Sequence, residues 1–360
     1  LMPQQRKELN FKGENIYVGI DVHLRSWSVT ILTEHSHFKT FNQPPEPDKL
    51  YNYLTEHFPM GNYFSAYEAG FSGLWAHYQL KELGVENIVI NPADVPTSNK
   101  ERVHKTDAVD SKKIARSLRA KELQGIYTIT PQTQEDRSIL RVRTSVVKDL
   151  TRMKTRIKMM LHHNGIKIPQ QYSNSKDFPS SFVGWLRCEA SEAMGIDKSA
   201  FLFVVDELEH KKKALLTITR QVRELCKQDR YKCNIELIRS VPGIGLLTGA
   251  VFLTEIENIE RFENSDKFAG FIGIVPSCHS SGSKDNKGEM TSRGQKHLRA
   301  SLIESAWVSI RKDPALALAY NQLCRRMEPN KAIVRIARKL VNRIYYVLKN
   351  KKEYVCSVVQ

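Results

Sequence analysis

Ile16-Tyr-Val-Gly-Ile-Asp-Val-His23 places a carboxylate inside an apolar run. Such a run, rich in Val, Ile and Tyr, reads as a buried strand. An acid there is costly to bury unless a cation neutralises it. Working outward, residues 26–33 read as a second strand, joined by a short connection around His23 to Arg25, and a third is expected near 37–41. Pro44, Pro45 and Pro47 mark a turn, and Asp48 opens a helix through about Phe58. Residues 62–68 form another strand, ending on Glu68. Leu74, Tyr78 and Leu83 share a helical face closed by Gly84, and Asn87-Ile-Val-Ile-Asn91 is a short buried strand. A basic helix then carries Asp107, Asp110, Ile114 and Leu118. Strands first, then alternating strand and helix, predict an α/β domain over residues 14–128.

Residues 129–233 differ in kind. Ile139, Val142, Val146, Leu150, Met153, Ile157 and Met160 recur at steps of three and four, a heptad-like stripe ended by Gly165 and Pro169. Leu208, Leu215, Ile218, Val222 and Leu225 form a second stripe. The two helices pair with each other or across a subunit boundary; the spacing leaves both open. Their outward Arg141, Arg143, Lys148, Arg152, Lys154, Arg156 and Lys158 read equally as a solvated face and as a nucleic-acid contact. A third region, 234–350, is mainly helical around a Gly-rich stretch.

The chain has 360 residues and a formal charge of +16, which favours a polyanionic partner, with nucleic acid ahead of an anionic membrane surface. No run approaches the roughly 20 apolar residues of a membrane span. The N-terminus Leu1-Met-Pro-Gln-Gln-Arg-Lys7 is polar and basic, so no secretion signal is expected. The six cysteines form no Cys-x-x-Cys pair, which predicts reduced thiols in a cytoplasmic protein rather than a disulfide framework or a zinc site.

Three motifs carry chemistry. Asp107 and Asp110, three apart, share a helix face. An acid on strand one, Glu68 on a later strand and two acids on a following helix fit the ribonuclease H-like fold, whose carboxylates converge on one sheet edge and hold Mg²⁺ or Mn²⁺. Hard cations take oxygen ligands and stabilise both the attacking and the leaving oxygen of a phosphoryl transfer. Taken singly, an acid is more often a surface charge, and Asp21 is the hardest to dismiss in that way. His23 is a possible ligand, although a strand-end histidine is more often solvated. Val241-Pro-Gly-Ile-Gly-Leu-Leu-Thr-Gly249 looks like a helix-hairpin-helix turn, with Gly243 and Gly245 freeing backbone N–H groups for a phosphate; its plain reading is a tight helix connection. Gly273-Ile-Val-Pro-Ser-Cys-His-Ser-Ser-Gly-Ser-Lys284 is a Gly-rich loop offering a serine nucleophile, with Arg293, Lys296, His297 and Arg299 beside it for the attacked phosphate. By spacing alone a Ser-Gly loop is usually only a loop.

Taken in order, Gly19-Ile-Asp-Val-His23, Glu68-Ala-Gly70, Lys105-Thr-Asp-Ala-Val-Asp110, Val241-Pro-Gly-Ile-Gly245 and Ser280-Ser-Gly282 with Arg293-Gly-Gln-Lys-His-Leu-Arg299 resemble one family. It is the DEDD transposases of insertion sequences, which join a RuvC-like domain to a serine-containing transposase domain; Piv-type invertases belong to the same group. The resemblance spans roughly residues 15–310. It implies that Asp21, Glu68, Asp107 and Asp110 bind the metal and that Ser281, or its neighbour Ser280, attacks DNA. It further implies donor and target DNA, an element-encoded bridge RNA that supplies the sequence information, and a dimer or tetramer with a site shared between subunits. Gln295 stands where the family commonly has Asn, a change that keeps the amide. Lys105, Lys112, Arg116, Arg152, Arg156 and Lys284 join Gly243, Gly245, Arg293, Lys296 and Arg299 as expected nucleic-acid contacts.

The expected activity is therefore RNA-guided DNA recombination through a serine–DNA link, with no ATP and no Walker-type loop. One rival is a RuvC-type junction nuclease using metal-activated water. The other is a non-catalytic basic scaffold that binds nucleic acid.

Overall fold

The computed structural model describes residues 10–96, 106–175, 177–195, 198–281, 284–291 and 293–356; the side chains of 277–281 and 284–289 are outside that description. Lys105 also lies outside the described residues. The chain forms two compact units, Leu1–Thr128 and Ile129–Gln360.

The first unit is built on a five-stranded sheet in the order β3-β2-β1-β4-β5. Its strands are β1 (Asn15–Val22), β2 (Trp27–Leu32), β3 (His37–Gln43), β4 (Asn62–Glu68) and β5 (Glu86–Ile90). The first three form an antiparallel meander, while β4 and β5 run parallel to β1. Helices α1 (Pro47–His57) and α2 (Trp75–Glu82) supply the crossovers. They cover one face, where Leu50, Leu54, Phe58 and Leu80 pack on Ile16, Val18 and Ile20. Helix α3 (Asp107–Arg119) covers the other face, where Ala115 meets Tyr17 and Leu32. Both faces of β1 and β2 are thus buried, which is why these strands read as continuous apolar runs. Only β3, at the sheet edge, is largely exposed. This is the ribonuclease H-like, RuvC-like arrangement.

The second unit is mostly helical. Helices α4 (Pro131–His163) and α6 (Lys198–Leu225) pack along each other, with α5 (Ser180–Trp185) closing one end. Val146, Leu150 and Ile157 meet Val205 and Leu208 in one cluster, so the two stripes pair within the chain. Val142 departs from the expected stripe: it is 52% exposed, and Leu140 is the buried neighbour. A second core joins α7 (Asp229–Ser240), α8 (Leu246–Ile256), α9 (Ser265–Ile272), α10 (Lys296–Lys312), α11 (Pro314–Cys324) and α12 (Pro329–Asn350).

The stretch read as a Gly-rich loop contains a β-hairpin, β6 (Pro276–Ser281) with β7 (Lys284–Met290), paired from Pro276↔Met290 to Ser281↔Lys284. Its polar sequence lacks the apolar alternation that marks a half-buried strand.

Candidate active site

Gly19 decides how the site is assembled. A Cβ at Gly19 would lie 2.1 Å from the Ser111 carbonyl oxygen and 2.4 Å from the Ala115 nitrogen, both backbone atoms of α3. Only glycine lets helix and strand approach so closely. Side chains alternate along β1, so Tyr17, Gly19 and Asp21 face α3 while Ile16, Val18 and Ile20 face the opposite core. Thr106 caps α3, its hydroxyl accepting from the Val109 N–H. That fixes the first turn, where Asp107 and Asp110 stand together; carboxylates there are favoured by the helix dipole. A buried hydroxyl, Ser111 Oγ, lies 2.9 Å from Thr30 Oγ1 and seats the helix on the strands beneath.

The acids then converge. Ligand atoms of Asp21, His23 and Asp107 all lie within 4.8 Å of one another. His23 Nε2 is 3.2 Å from Asp21 Oδ2 and 3.4 Å from Asp107 Oδ1. Asp21 is the more sheltered acid: its side chain is 23% exposed, against 65% for Asp107. Burial pushes the Asp21 carboxyl above its ordinary pKa; His23 pulls it back, and the charges of Asp107 and Asp110 push it up again. Asp110 lies outside the closest group and receives the Lys113 ammonium at 3.2 Å. Glu68 also lies outside that group. Ile20 pairs with Tyr67, so Glu68 stands level with Asp21 on the neighbouring strand. Phe64 and Ala66 pack on the α3 side, and Glu68 continues that alternation.

His23, which the sequence leaves open between ligand and solvated strand-end residue, joins this cluster with its side chain 44% exposed. The usable signal was its spacing: two residues from Asp21 in an extended chain, it shares Asp21's face. The cluster is able to coordinate a divalent metal. Its carboxylate oxygens suit a hard cation such as Mg²⁺, and the imidazole extends the range toward Mn²⁺. A cation would also relieve the repulsion that Asp21 experiences from Asp107 and Asp110.

Lys112 and Arg116 lie beside the edge strand: burial first, then their two charges, hold His37 below its ordinary pKa. Arg152 is exposed and paired with Asp149, and Arg156 is exposed.

In the second unit, Ser281 is the last residue of β6, with Ser280 before it. Lys284 faces Ser281 across the hairpin backbone. The hairpin's base is tightly made. Gly273 ends α9 in the left-handed region at φ 85°, and a Cβ on Gly294 would fall 2.6 Å from the Gly273 Cα. The Thr291 N–H donates to the Val275 carbonyl at 3.0 Å. Arg299 donates to the carbonyls of Gly273 and Thr291. That gives the guanidinium expected at a phosphate a structural role at the hairpin base. Arg293 and Lys296 are exposed nearby in sequence, whereas His297 Nε2 lies 3.0 Å from Thr144 Oγ1.

The glycine turn joins α7 to α8. Gly243, at φ 89°, would drive a Cβ to 2.3 Å from the Ser305 carbonyl oxygen, so this glycine serves the close approach of α10. Gly245, the exposed N-cap residue of α8, has open space around it.

Comparison with known proteins bears on both units. A DEDD-type model of IS110 transposases matches residues 18–164, and the model described as "Transposase IS116/IS110/IS902 family" matches residues 235–321. The Sinorhizobium fredii protein y4rJ is 25% identical over 91% of this chain and 90% of its own length. The transposase for insertion sequence element IS1111A of Coxiella burnetii is 26% identical over 76% of this chain and 74% of its own. The transposase for insertion sequence element IS1533 of Leptospira borgpetersenii is 25% identical, with shares of 69% and 72%.

Proposed function

For a chain that belongs to the IS110/IS1111 family of DEDD-type transposases, we propose RNA-guided DNA recombination through a transient serine–DNA bond. The chain is an enzyme of phosphoryl transfer. The observation that carries the proposal is the convergence of Asp21, His23 and Asp107 at the junction of β1 and α3. Asp21, Asp107, Asp110 and Glu68 would hold Mg²⁺ or Mn²⁺, which when bound supplies charge stabilisation at a phosphate.

The chain's own residues do the rest. Ser281 Oγ attacks a phosphodiester and loses its proton; the P–O bond to the leaving nucleoside breaks, and a free DNA hydroxyl results. A hydroxyl of another strand then attacks the phosphoserine, re-forms a P–O bond to DNA and frees the serine. Bond energy is conserved in the link, so no nucleotide triphosphate is consumed. Lys112 and Arg116 of α3, and Arg293 and Lys296 in the serine unit, contact nucleic-acid backbone. A bridge RNA pairs with donor and target DNA, so the protein reads RNA shape and base pairing reads sequence. A dimer or tetramer in the bacterial cytoplasm is the working form. Among the described residues no helix is long and apolar enough to cross a membrane.

Covalent trapping tests this. The protein is incubated with Mg²⁺, its element-derived RNA and end-labelled recombination-site DNA, then denatured. An adduct mapped to Ser281 by mass spectrometry, lost in Asp21→Ala, is the expected result. Cleaved DNA without an adduct would replace the serine step with water-driven hydrolysis by the acid cluster. Binding with no cleavage would leave only a scaffold.

A further inference from the structure

A cavity of about 1120 Å³ opens at the base of the serine hairpin, wholly within the second unit. One wall is apolar: Ile274, Val275, Pro276 and Met290, the last pair being the first rung of the hairpin. Met290 is 39% exposed there. The opposite wall is α12, which presents Lys331, Arg335 and Arg338 on one face, at steps of four and three. Arg338 is neutralised by Asp266, which also lines the groove. Lys331 and Arg335 are exposed, and neither has an ion-pair partner among the described residues. Helix α12 lies beyond the last residue, 321, matched by either family model.

A groove with one apolar wall and one cationic wall, carrying two positive charges unpaired among the described residues, suits a sugar–phosphate strand. Phosphates meet the cations, while sugar or base edges cover the apolar side. We propose that this groove holds the backbone of the DNA strand on which Ser281 acts, with Lys331 and Arg335 as its phosphate ligands. The choice of DNA rests on the recombinase reading, and continuity with the hairpin supports it. Ser281 is five residues along β6 from Pro276, which places Ser281 roughly 17 Å from the groove. The groove therefore grips the strand a few nucleotides away from the phosphate attacked, as a positioning element outside the chemistry.

The test reads binding without turnover. Full-length protein in the Ser281→Ala background is titrated, over a salt series, with a labelled mixed-sequence DNA duplex and with an RNA duplex of equal length. Lys331→Ala with Arg335→Ala should weaken DNA binding about tenfold near physiological salt and lower the log–log salt slope by about 2, since each phosphate contact contributes about 0.9. Lys331→Arg should keep wild-type behaviour. A matched pair of exposed lysines elsewhere in the unit, Lys232→Ala with Lys312→Ala, should leave the slope unchanged. The proposal fails if the groove pair changes DNA binding no more than the matched pair does. It also fails if the loss falls on RNA and spares DNA, which would make RNA the occupant. Both cations are exposed and the double variant should melt as the parent does; a lowered melting temperature with an unchanged salt slope also overturns it. DNA binding through the groove in a protein that forms no serine adduct would support this inference while removing the serine step.

Discussion

The contact between α3 and β1 and the β6–β7 hairpin hold their chemical groups by opposite means. In the first, Asp21 sits on a strand buried on both faces, and Asp107 sits on the first turn of a helix pressed onto that strand through Gly19. Register, burial and helix cap fix those side chains together. In the second, Ser281 ends a strand with a single partner, and the described anchoring gathers at the far end, around Gly273, Gly294 and Arg299. The lesson is a division of labour. Two mutually repelling carboxylates are held close by a strand and a helix pressed together, whereas the serine proposed to attack DNA ends a two-stranded ladder. If that is right, damage to the first region should cost stability and metal binding together. Damage to the second should cost the covalent step and spare metal binding.

The largest effects come from removing the groups themselves. Asp21→Ala and Ser281→Ala should each lower strand cleavage by on the order of a thousandfold or more, because nucleophile and activating groups act as one unit. Calorimetric Mn²⁺ titration separates the two: Asp21→Ala should abolish binding and Ser281→Ala should leave it intact. Equal metal loss in both variants would break the division.

Next in size is Gly19→Ala. Its Cβ would meet backbone atoms that have no way to rotate aside, so the helix must move. Overpacking of this kind costs about 1–3 kcal/mol. Urea unfolding should report that loss, and metal affinity should fall with it. Gly294→Ala is the counterpart in the hairpin, at φ 100° and against Gly273. The strain of holding a non-glycine residue there is about 1–3 kcal/mol. Adduct formation should drop while Mn²⁺ affinity stays at its wild-type value; a fall in metal affinity would show that the two regions are not independent.

The same contrast explains what was legible in the sequence. An acid between Val18, Ile20 and Val22 is conspicuous because physics penalises it, and the alternating strands and helices around it followed from apolar runs and Gly/Pro punctuation. Nothing in one sequence reveals that Gly19 faces the Ser111 carbonyl, since that depends on two elements some 90 residues apart. The sequence leaves His23 open between ligand and solvated residue for the same reason: Asp107, which makes it part of a cluster, arrives from another segment. Pro276-Ser-Cys-His-Ser-Ser281 lacks an alternation of large apolar and polar residues, so it carries no strand period, and only backbone pairing exposes the hairpin. The paired stripes of α4 and α6 were visible, but whether they met within one chain was not, because heptad spacing specifies a partner's pattern and not its molecule.

A smaller effect sharpens the first region through pH. Burial raises the Asp21 pKa, helped by Asp107 and Asp110 and opposed by His23. Between the ordinary carboxylate pKa and the raised value, the folded protein binds more protons at this site than the unfolded chain. The site's contribution to stability is therefore lost as pH rises through that window. Without metal, Asp21→Asn should melt a few degrees higher than wild type near neutral pH, with the gap closing as pH falls below the ordinary carboxylate value. Added Mg²⁺ should stabilise wild type and leave the variant unmoved. A gap that is independent of pH would mean that Asp21 is not held against repulsion.

The smallest effect concerns His23, and it asks whether the Asp21–His23–Asp107 cluster is purely a set of oxygen ligands. Its imidazole lies 3.2 Å and 3.4 Å from two carboxylates, close enough to share a cation with them or merely to screen them. Imidazole suits Mn²⁺ better than Mg²⁺. If His23 ligates, His23→Ala should weaken Mn²⁺ more than Mg²⁺, narrowing the ratio of the two affinities by several-fold while cleavage in saturating Mg²⁺ changes little. If it only screens, both metals should bind somewhat tighter or weaker by the same factor, because the charge lost is felt equally by each. An unchanged affinity ratio with altered absolute affinities would therefore assign His23 to electrostatics and leave Asp21 and Asp107 as the ligands that the β1–α3 contact brings together.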